Sequence, residues 1–483
     1  MRLSNATLAQ LPGGVVRPAY DRGAVATGIV HLGIGAFHRA HQAVYTEAAL
    51  AAGDRCWGIT GASLRSTDTR DALTPQDGLY TVAVRDASGE RLQVVGAINR
   101  LMARDSAALC AAMAAPDVRI VSLTVTEKGY CRAATGGLNP AHPDIQHDLT
   151  DPHTPRSAPG VLIEALRLRH AVGLPPFTVL CCDNLPANGR TVHGVLRDFA
   201  ALRDPALARF IEDKVRCPST MVDRIVPATT DADRATIAAA LGLTDAWPVV
   251  TEPFSQWVIE DDFSAGRPDW DASGATFVTD VAPFELAKLR MLNGAHSALA
   301  YLGYLAGCET MADTLAKPGF ASFARGLMLE EAAPTIPCLP GLDLSDYAEN
   351  LLERFRNPAL HHRTWQIAMD GSQKLPQRLL GTVQDRLAVG APIWRLTLAV
   401  AGWMRYVIGT DERGRPIDVC DPIAADLRRR SVGSPASIVD GLLGVEAVFG
   451  TSLPTNGVFR HALESSLKSL LRHGAAATMA GLA

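Results

Sequence analysis

Four short apolar runs rich in β-branched residues, GIVHLG (28–33), CWGITGASL (56–64), VRIVSLTVT (118–126) and FTVLCC (177–182), alternate with helical segments over the first 280 residues. Strands separated by helix-length stretches predict a mostly parallel sheet within an α/β domain, because a parallel pair needs a crossover long enough to hold a helix. Beyond about residue 283 the strand signal fades. Residues 284–306, 310–331, 344–355, 377–388, 393–408 and 459–472 read instead as helices. The expected architecture is an α/β domain over 1–282 and a mainly α-helical domain over 283–483, with the boundary near Pro283. The stretch NPAHPDIQHDLTDPHTPRSAPG (139–160) is dense in Pro, His and Asp and reads as a long loop, and the tail RHGAAATMAGLA is expected to fray.

Composition narrows the possible functions. A chain of 483 residues with 47% hydrophobic and 20% charged residues has ample material for buried cores and is too apolar for disorder. The formal charge of −4 and the lack of any long basic block exclude the electrostatic footprint of a nucleic-acid binder. Arg428–Arg430 reads as a solvated helix end. The N-terminus lacks the apolar core of a signal peptide, and the run LTLAVAGWM, flanked by Arg395 and Arg405, is too short to span a bilayer, so a cytoplasmic protein is expected. Nine cysteines without a C-x-x-C pair argue against a disulfide framework or a structural zinc site and for a reducing compartment.

Three segments carry chemistry. HLGIGAFHRAHQ (31–42) leaves the first strand and begins like the dinucleotide fingerprint G-x-G-x-x-G, but His38 stands where the third glycine belongs. Glycines let a pyrophosphate approach the backbone, and the helix starting near Ala36 would aim its N–H groups at an anion. Gly33, Gly35, Phe37, His38 and Arg39 are therefore candidate cofactor residues, with the Arg39 guanidinium available to neutralise phosphate. His38 and His41 share a helical face, but no third ligand stands at motif spacing, so no metal is expected.

FELAKLRMLNGAHSAL (284–299) sets Lys288, Asn293, His296 and Glu285 within a ~140° wedge of one helix. Its surroundings are apolar and rich in small residues, so that face must line something, and a buried lysine loses part of its preference for the charged form. CCDNLPANGR (181–190) ends a buried strand in Asp183-Asn184, either an Asx-turn or an amide donor to a developing oxyanion.

In this order GIGAFHRAHQ, TVTEKGY (124–130), CDNLPANG, MVDRIVP (221–227) and KLRMLNGAH resemble the polyol-specific long-chain dehydrogenases, the mannitol dehydrogenase family, over roughly residues 15 to 470; the K-x-x-x-x-N-x-x-H arrangement is the most specific element. The resemblance implies a Rossmann-type domain, a helical domain with substrate between them, metal-free chemistry and hydride transfer between a nicotinamide and a secondary alcohol or ketone of an acyclic sugar derivative. It implies Lys288 as general acid/base, Asn184 and Asn293 as oxyanion donors, and His296 as a positioning residue. Glu285 becomes a proton relay and Asp223 a substrate contact.

Within the family, residues 63–81, 291–307 and 357–378 look most like the oxidoreductases of the D-mannonate/D-fructuronate pair, with mannitol/fructose or another polyol as the alternative. A uronate carboxylate needs cationic partners, for which Arg363, Lys374 and Arg378 are the candidates. The second strand ends at Arg65 rather than at an acid, with Asp68 slightly later; NAD is the expected cofactor and NADP a possible one. A monomer or small homo-oligomer is expected. A sugar-acid or nucleotide binder without activity is the reading of another class, since fold alone does not fix function.

Overall fold

The computed structural model describes residues 1–133, 136–339 and 341–482. It divides into two compact units, Met1–Ala282 and Pro283–Ala483. Among the described residues the first carries eleven strands: β1 (Thr27–Leu32), β2 (Gly58–Ser63), β3 (Tyr80–Asp86), β4 (Gly89–Val95), β5 (Ile98–Ala103), β6 (Ile120–Leu123), β7 (Thr178–Cys181), β8 (Thr220–Asp223), β9 (Val249–Thr251), β10 (Gln256–Glu260) and β11 (Thr276–Val278).

Five of them form a parallel sheet in the order β5-β2-β1-β6-β7. Every residue of β6 and β7 is buried, as expected of strands covered by helices on both faces. From β1 the chain moves outward through β2 to β5, then returns to pair β6 against the other side of β1. Leu32 of β1 therefore faces Ala62 on one side and Leu123 on the other. This reversal opens a crevice at the carboxyl ends of β1 and β6, where open α/β sheets bind ligands. Two three-stranded sheets, β4-β3-β9 and β11-β10-β8, complete the unit. Edge strand β5 escaped the sequence reading because its interior is polar (Asn99, Arg100) and partly exposed.

Residues 139–160 correct the loop expected there. They hold the helix Pro143–Thr150 and the first turn of the helix Ala158–Ala171, capped by His142 and Ser157. Pro143 and Pro159 sit in the opening turns of these helices, where the missing N–H costs nothing, so they start helices rather than break them. Between them the fully buried Asp148 accepts hydrogen bonds from the N–H groups of Arg156 and Ser157 and from Ser157 Oγ.

The second unit is helical. Its centre is the helix Gly294–Leu305, packed on Trp394–Val407, which in turn packs on Gly457–Ala480. Leu396, Leu398, Val400, Met404 and Val407 are all buried on Trp394–Val407, each contributing about 1.5–3 kcal/mol of apolar burial. Among the described residues no helix is long and apolar enough to cross a membrane. The tail does not fray: the last helix kinks at Gly474 and continues to Ala480, with Ala475 and Met479 fully buried.

Among the described residues three helical stretches contain π-turns: Lys288–Asn293, Leu327–Ala332 and Pro376–Leu380. The expected helix 310–331 is divided into Met311–Ala316 and Phe320–Gly326, with a left-handed Gly319 before the second.

Candidate active site

In the first unit the turn after β1 answers the question raised by the irregular glycine motif. Gly33 has φ +99°, and a Cβ there would lie 2.1 Å from the Thr124 carbonyl oxygen, so only glycine closes this turn. Gly35 begins the helix Ala36–Ala40, and a Cβ there would meet nothing nearer than 3.9 Å. Its backbone therefore faces open space that a ligand can approach.

The third glycine is replaced by a ring stack. His38 lies face to face on His31 of β1, with centroids 3.4 Å apart and planes within 12°. His31 is held by Ser122 Oγ at 2.8 Å and Thr124 Oγ1 at 2.9 Å. Burial holds both rings neutral, pushing His31 down to about 3 and His38 well below the usual histidine range. His38 is thus a packing residue, which corrects its assignment to cofactor contact: the flat ring fills the helix–strand gap that glycine would leave.

Arg39 requires the same correction. Its side chain is buried, its guanidinium donates to the Trp247 carbonyl and lies 5.3 Å from the centre of the Tyr80 ring, so it serves the interior rather than a phosphate. Phe37 stacks on His41, whose Nε2 meets the Gln256 carbonyl at 2.9 Å. His38 and His41 therefore belong to two separate packing sets.

A cavity of about 380 Å³ opens over the crevice, lined by Gly33, by Ser63–Ser66 after β2 and by Thr124–Thr126 after β6. Its floor is strained. Thr126 holds φ 67° and ψ 163°, a region that is essentially glycine-only and costs about 1–3 kcal/mol. Asp183, just beyond β7, fixes this conformation by accepting from Val125 N at 2.9 Å, Thr126 N at 3.0 Å and Tyr130 Oη at 2.6 Å. Burial raises the Asp183 carboxyl above its usual range against those hydrogen bonds. Asn184 follows it and is exposed, while Asp223 ends β8 and is buried. Asn188, which the sequence reading missed, donates from Nδ2 to the carbonyls of Cys181 and Thr220 and accepts from Thr220 N, joining the ends of β7 and β8. The open turn at Gly35 and the adjoining cavity leave room for a dinucleotide beside the backbone, while His38 and Arg39 are packed in the interior.

In the second unit Lys288 and Asn293 bound a π-turn. An α-helix would set them about 140° apart, whereas i→i+5 bonding stacks residues five apart on one face. The Gly294 N–H bonded to the Leu289 carbonyl is one such bond. Lys288 is buried.

One turn on, His296 stacks on Phe355 with centroids 5.0 Å apart and meets the edge of His362 at 4.7 Å. Its Nε2 is shielded from solvent and makes no hydrogen bond among the described residues. Burial, then the nearby charges of His362, Arg378, Arg354 and Lys374, hold its pKa well below the usual range, so the imidazole is neutral. Gly294 makes this crowding possible, because a Cβ there would lie 2.9 Å from the Arg378 carbonyl oxygen.

Arg378 is itself engaged, donating to Ser297 Oγ at 3.0 Å. Lys374 donates to the Ile367 carbonyl at 3.3 Å, and burial together with Arg378 pushes it down to about 8. Arg363 departs from expectation: its side chain is 62% exposed and lies 3.7 Å from Glu309, so it is a solvated surface residue. Arg354 and His362 take its place in the cluster. Neither carried a sequence signal, since Arg354 ends the amphipathic helix Leu344–Phe355 and looks like a solvated cap. Glu285 lies one turn before Lys288 and is partly exposed.

Both units match known protein families. Residues 27–272 match the mannitol dehydrogenase Rossmann domain and residues 280–471 the mannitol dehydrogenase C-terminal domain. The chain belongs to the mannitol dehydrogenase family. It is 49% identical to the D-mannonate oxidoreductase of Escherichia coli (strain K12), covering 97% of this chain and 98% of that protein. It is 41% identical to the mannitol 2-dehydrogenase of Phaeosphaeria nodorum, over 99% of this chain and 85% of the relative. Among solved structures, the Pseudomonas fluorescens mannitol 2-dehydrogenase, a ternary complex with NAD and D-mannitol, aligns with a TM-score of 0.89 at 40% identity over 100% of this chain and 99% of that one.

Proposed function

We propose that the chain is a nicotinamide-dependent oxidoreductase that interconverts a secondary alcohol and a ketone on an acyclic sugar acid, D-mannonate and D-fructuronate, with NAD as cofactor. The cationic surround of His296 carries this reading: Arg354, Lys374 and Arg378 act on one buried imidazole, beside His362, which burial pushes down to about 4 and holds neutral. Asp370 and Asp421 offset part of this charge at Lys374, and a substrate carboxylate would find charge-assisted partners here that a neutral polyol would use less fully. The kinship to the Escherichia coli D-mannonate oxidoreductase supports the same substrate.

The bound nicotinamide supplies or receives the hydride. In the reducing direction Lys288, as an ammonium, gives its proton to the carbonyl oxygen as negative charge develops there. Amide N–H groups of Asn293 and Asn184 stabilise that charge. Neutral His296 holds a substrate hydroxyl, and Glu285 returns a proton to Lys288. Asp223 accepts from a further substrate hydroxyl. In oxidation neutral Lys288 takes the hydroxyl proton. The assignment carries with it a cytoplasmic enzyme, monomeric or a small homo-oligomer.

Mixing the purified protein with NADH and D-fructuronate should consume NADH, and D-mannonate with NAD should regenerate it. Consumption with D-fructose but not with D-fructuronate would return the chain to mannitol oxidation, and no turnover with any sugar acid or polyol would favour a binder without activity.

A further inference from the structure

We propose that Cys131, His142 and Asp144 form a binding site for a divalent transition-metal ion, Zn(II) by their chemistry, which shares no residue with the groups proposed for hydride transfer. The site stands whether or not the cavity beside it takes a dinucleotide. One ligand atom of each residue (the Cys131 sulfur, a His142 ring nitrogen and an Asp144 carboxylate oxygen) lies within 4.8 Å of the other two. Tetrahedral bonds of about 2.0–2.3 Å to such donors set neighbouring ligand atoms about 3.3–3.8 Å apart. Closing on an ion therefore takes shifts of about 1 Å, which side-chain rotation supplies.

The backbone brings the three together before any ion arrives. The Asn139 N–H donates to the Cys131 carbonyl at 2.8 Å, and the Asn139 carbonyl accepts from the His142 N–H at 3.1 Å, so one residue ties two ligands that are distant in sequence. His142 then caps the helix Pro143–Thr150, which fixes Asp144 in its first turn. Cys131 and Asp144 both line the 380 Å³ cavity. Cys131 is buried, whereas His142 and Asp144 are half-buried, an arrangement that gives an ion a way in and leaves its fourth position open.

Each donor gives up little to bind. The Cys131 sulfur makes only a 4.0 Å contact with the Gly129 carbonyl, and its proton passes to solvent as the Zn–S bond forms. His142 Nδ1 accepts a long bond of 3.2 Å from the Asp144 N–H. Coordination at Nδ1 replaces that bond, and coordination at Nε2 moves the ring proton to Nδ1 with the same loss. Asp144 pairs at 3.0 Å with Arg65, whose side chain is 80% exposed, so the pair is of little worth. A thiolate and an imidazole favour Zn(II) over Mg(II) or Ca(II), which prefer oxygen shells. Binding draws Asp144 from Arg65 and so couples the ion to the charge at the end of β2.

The test uses the intact protein, stripped with EDTA and free of NAD and NADH. Titration with Co(II) should raise a thiolate-to-cobalt charge-transfer band in the near ultraviolet that saturates at a single equivalent, and Zn(II) should abolish it. Calorimetry with Zn(II) should give a Kd of about 1 μM or tighter, with no competition from excess Mg(II). Cys131→Ser should remove the band. His142→Gln and Asp144→Asn should each weaken Zn(II) by about 10–100-fold or more, since loss of an outer-shell partner alone costs that much. The combined variant Cys56→Ser, Cys338→Ser and Cys420→Ser, which removes the exposed thiols, should keep both band and affinity. A band that survives Cys131→Ser, Zn(II) affinity indifferent to both His142→Gln and Asp144→Asn, or binding lost with the exposed thiols would overturn the proposal. Weak binding without a band would overturn it as well.

Discussion

The turn after β1 and the π-turn of the second unit both present histidines and cations at helical spacing, yet they use them in opposite ways. Around Gly33 the side chains are consumed by the interior: His38 lies on His31 and Arg39 on the Trp247 carbonyl. What remains for a ligand is backbone. Around Lys288 the backbone supplies only register, and side chains from three further segments converge on His296. On the proposed reading, main-chain geometry holds the dinucleotide, whereas side chains recognise the sugar acid.

The contrast fails if side chains of the π-turn prove dispensable. Lys288→Ala should lower kcat for the sugar acid by about 10²–10⁴-fold, the range supplied by a positioned acid–base group, with NADH affinity unchanged by fluorescence titration. The glycine turn offers the matching backbone test. Gly33→Ala should cost about 3 kcal/mol or more in denaturant unfolding, from left-handed strain and the clash with Thr124. Gly35→Ala should keep the fold and weaken NADH binding.

Smaller effects sharpen the same distinction. Lys374→Met should raise KM for the sugar acid by about tenfold or more, the loss of one charge-assisted hydrogen bond, and leave KM for a neutral polyol unchanged. Because the ammonium form holds a carboxylate and Lys374 loses its proton near pH 8, the wild-type KM should climb as pH rises through that value, and the variant should lose this limb. Arg39→Met should cost about 1–3 kcal/mol of stability by leaving a buried carbonyl unpaired, with NADH affinity intact; lost affinity in a stable variant would make Arg39 a phosphate ligand after all. Arg363→Ala should change KM by less than about twofold, as befits an exposed pair.

Four of the five strands of the parallel sheet and most of the helices of the second unit were legible because burial imposes continuous apolar runs on the former and a regular period on the latter. The strands β3, β4, β5 and β8 to β11 went unread; those that are short or half exposed lack such runs. The helices within 139–160 were hidden because Pro and Asp start helices as readily as they mark loops, and sequence alone does not say which. Lys288, Asn293 and His296 stood out by spacing, but the π-turn that stacks the first two has no sequence signature. Arg354 and His362 were invisible because long-range packing, not local pattern, brings them to His296. Arg39 and Arg363 misled for the converse reason, as their residue type fits an anion while their surroundings commit them elsewhere.

The central claim, that the cluster around His296 selects an acid over a neutral polyol, is tested most directly by the ratio of kcat/KM for D-mannonate over D-mannitol with NAD. A ratio of about 10² or more is expected from two charge-assisted contacts to one carboxylate. A ratio near one, or a preference for mannitol, would contradict it and mean that those cations serve the fold and not the substrate.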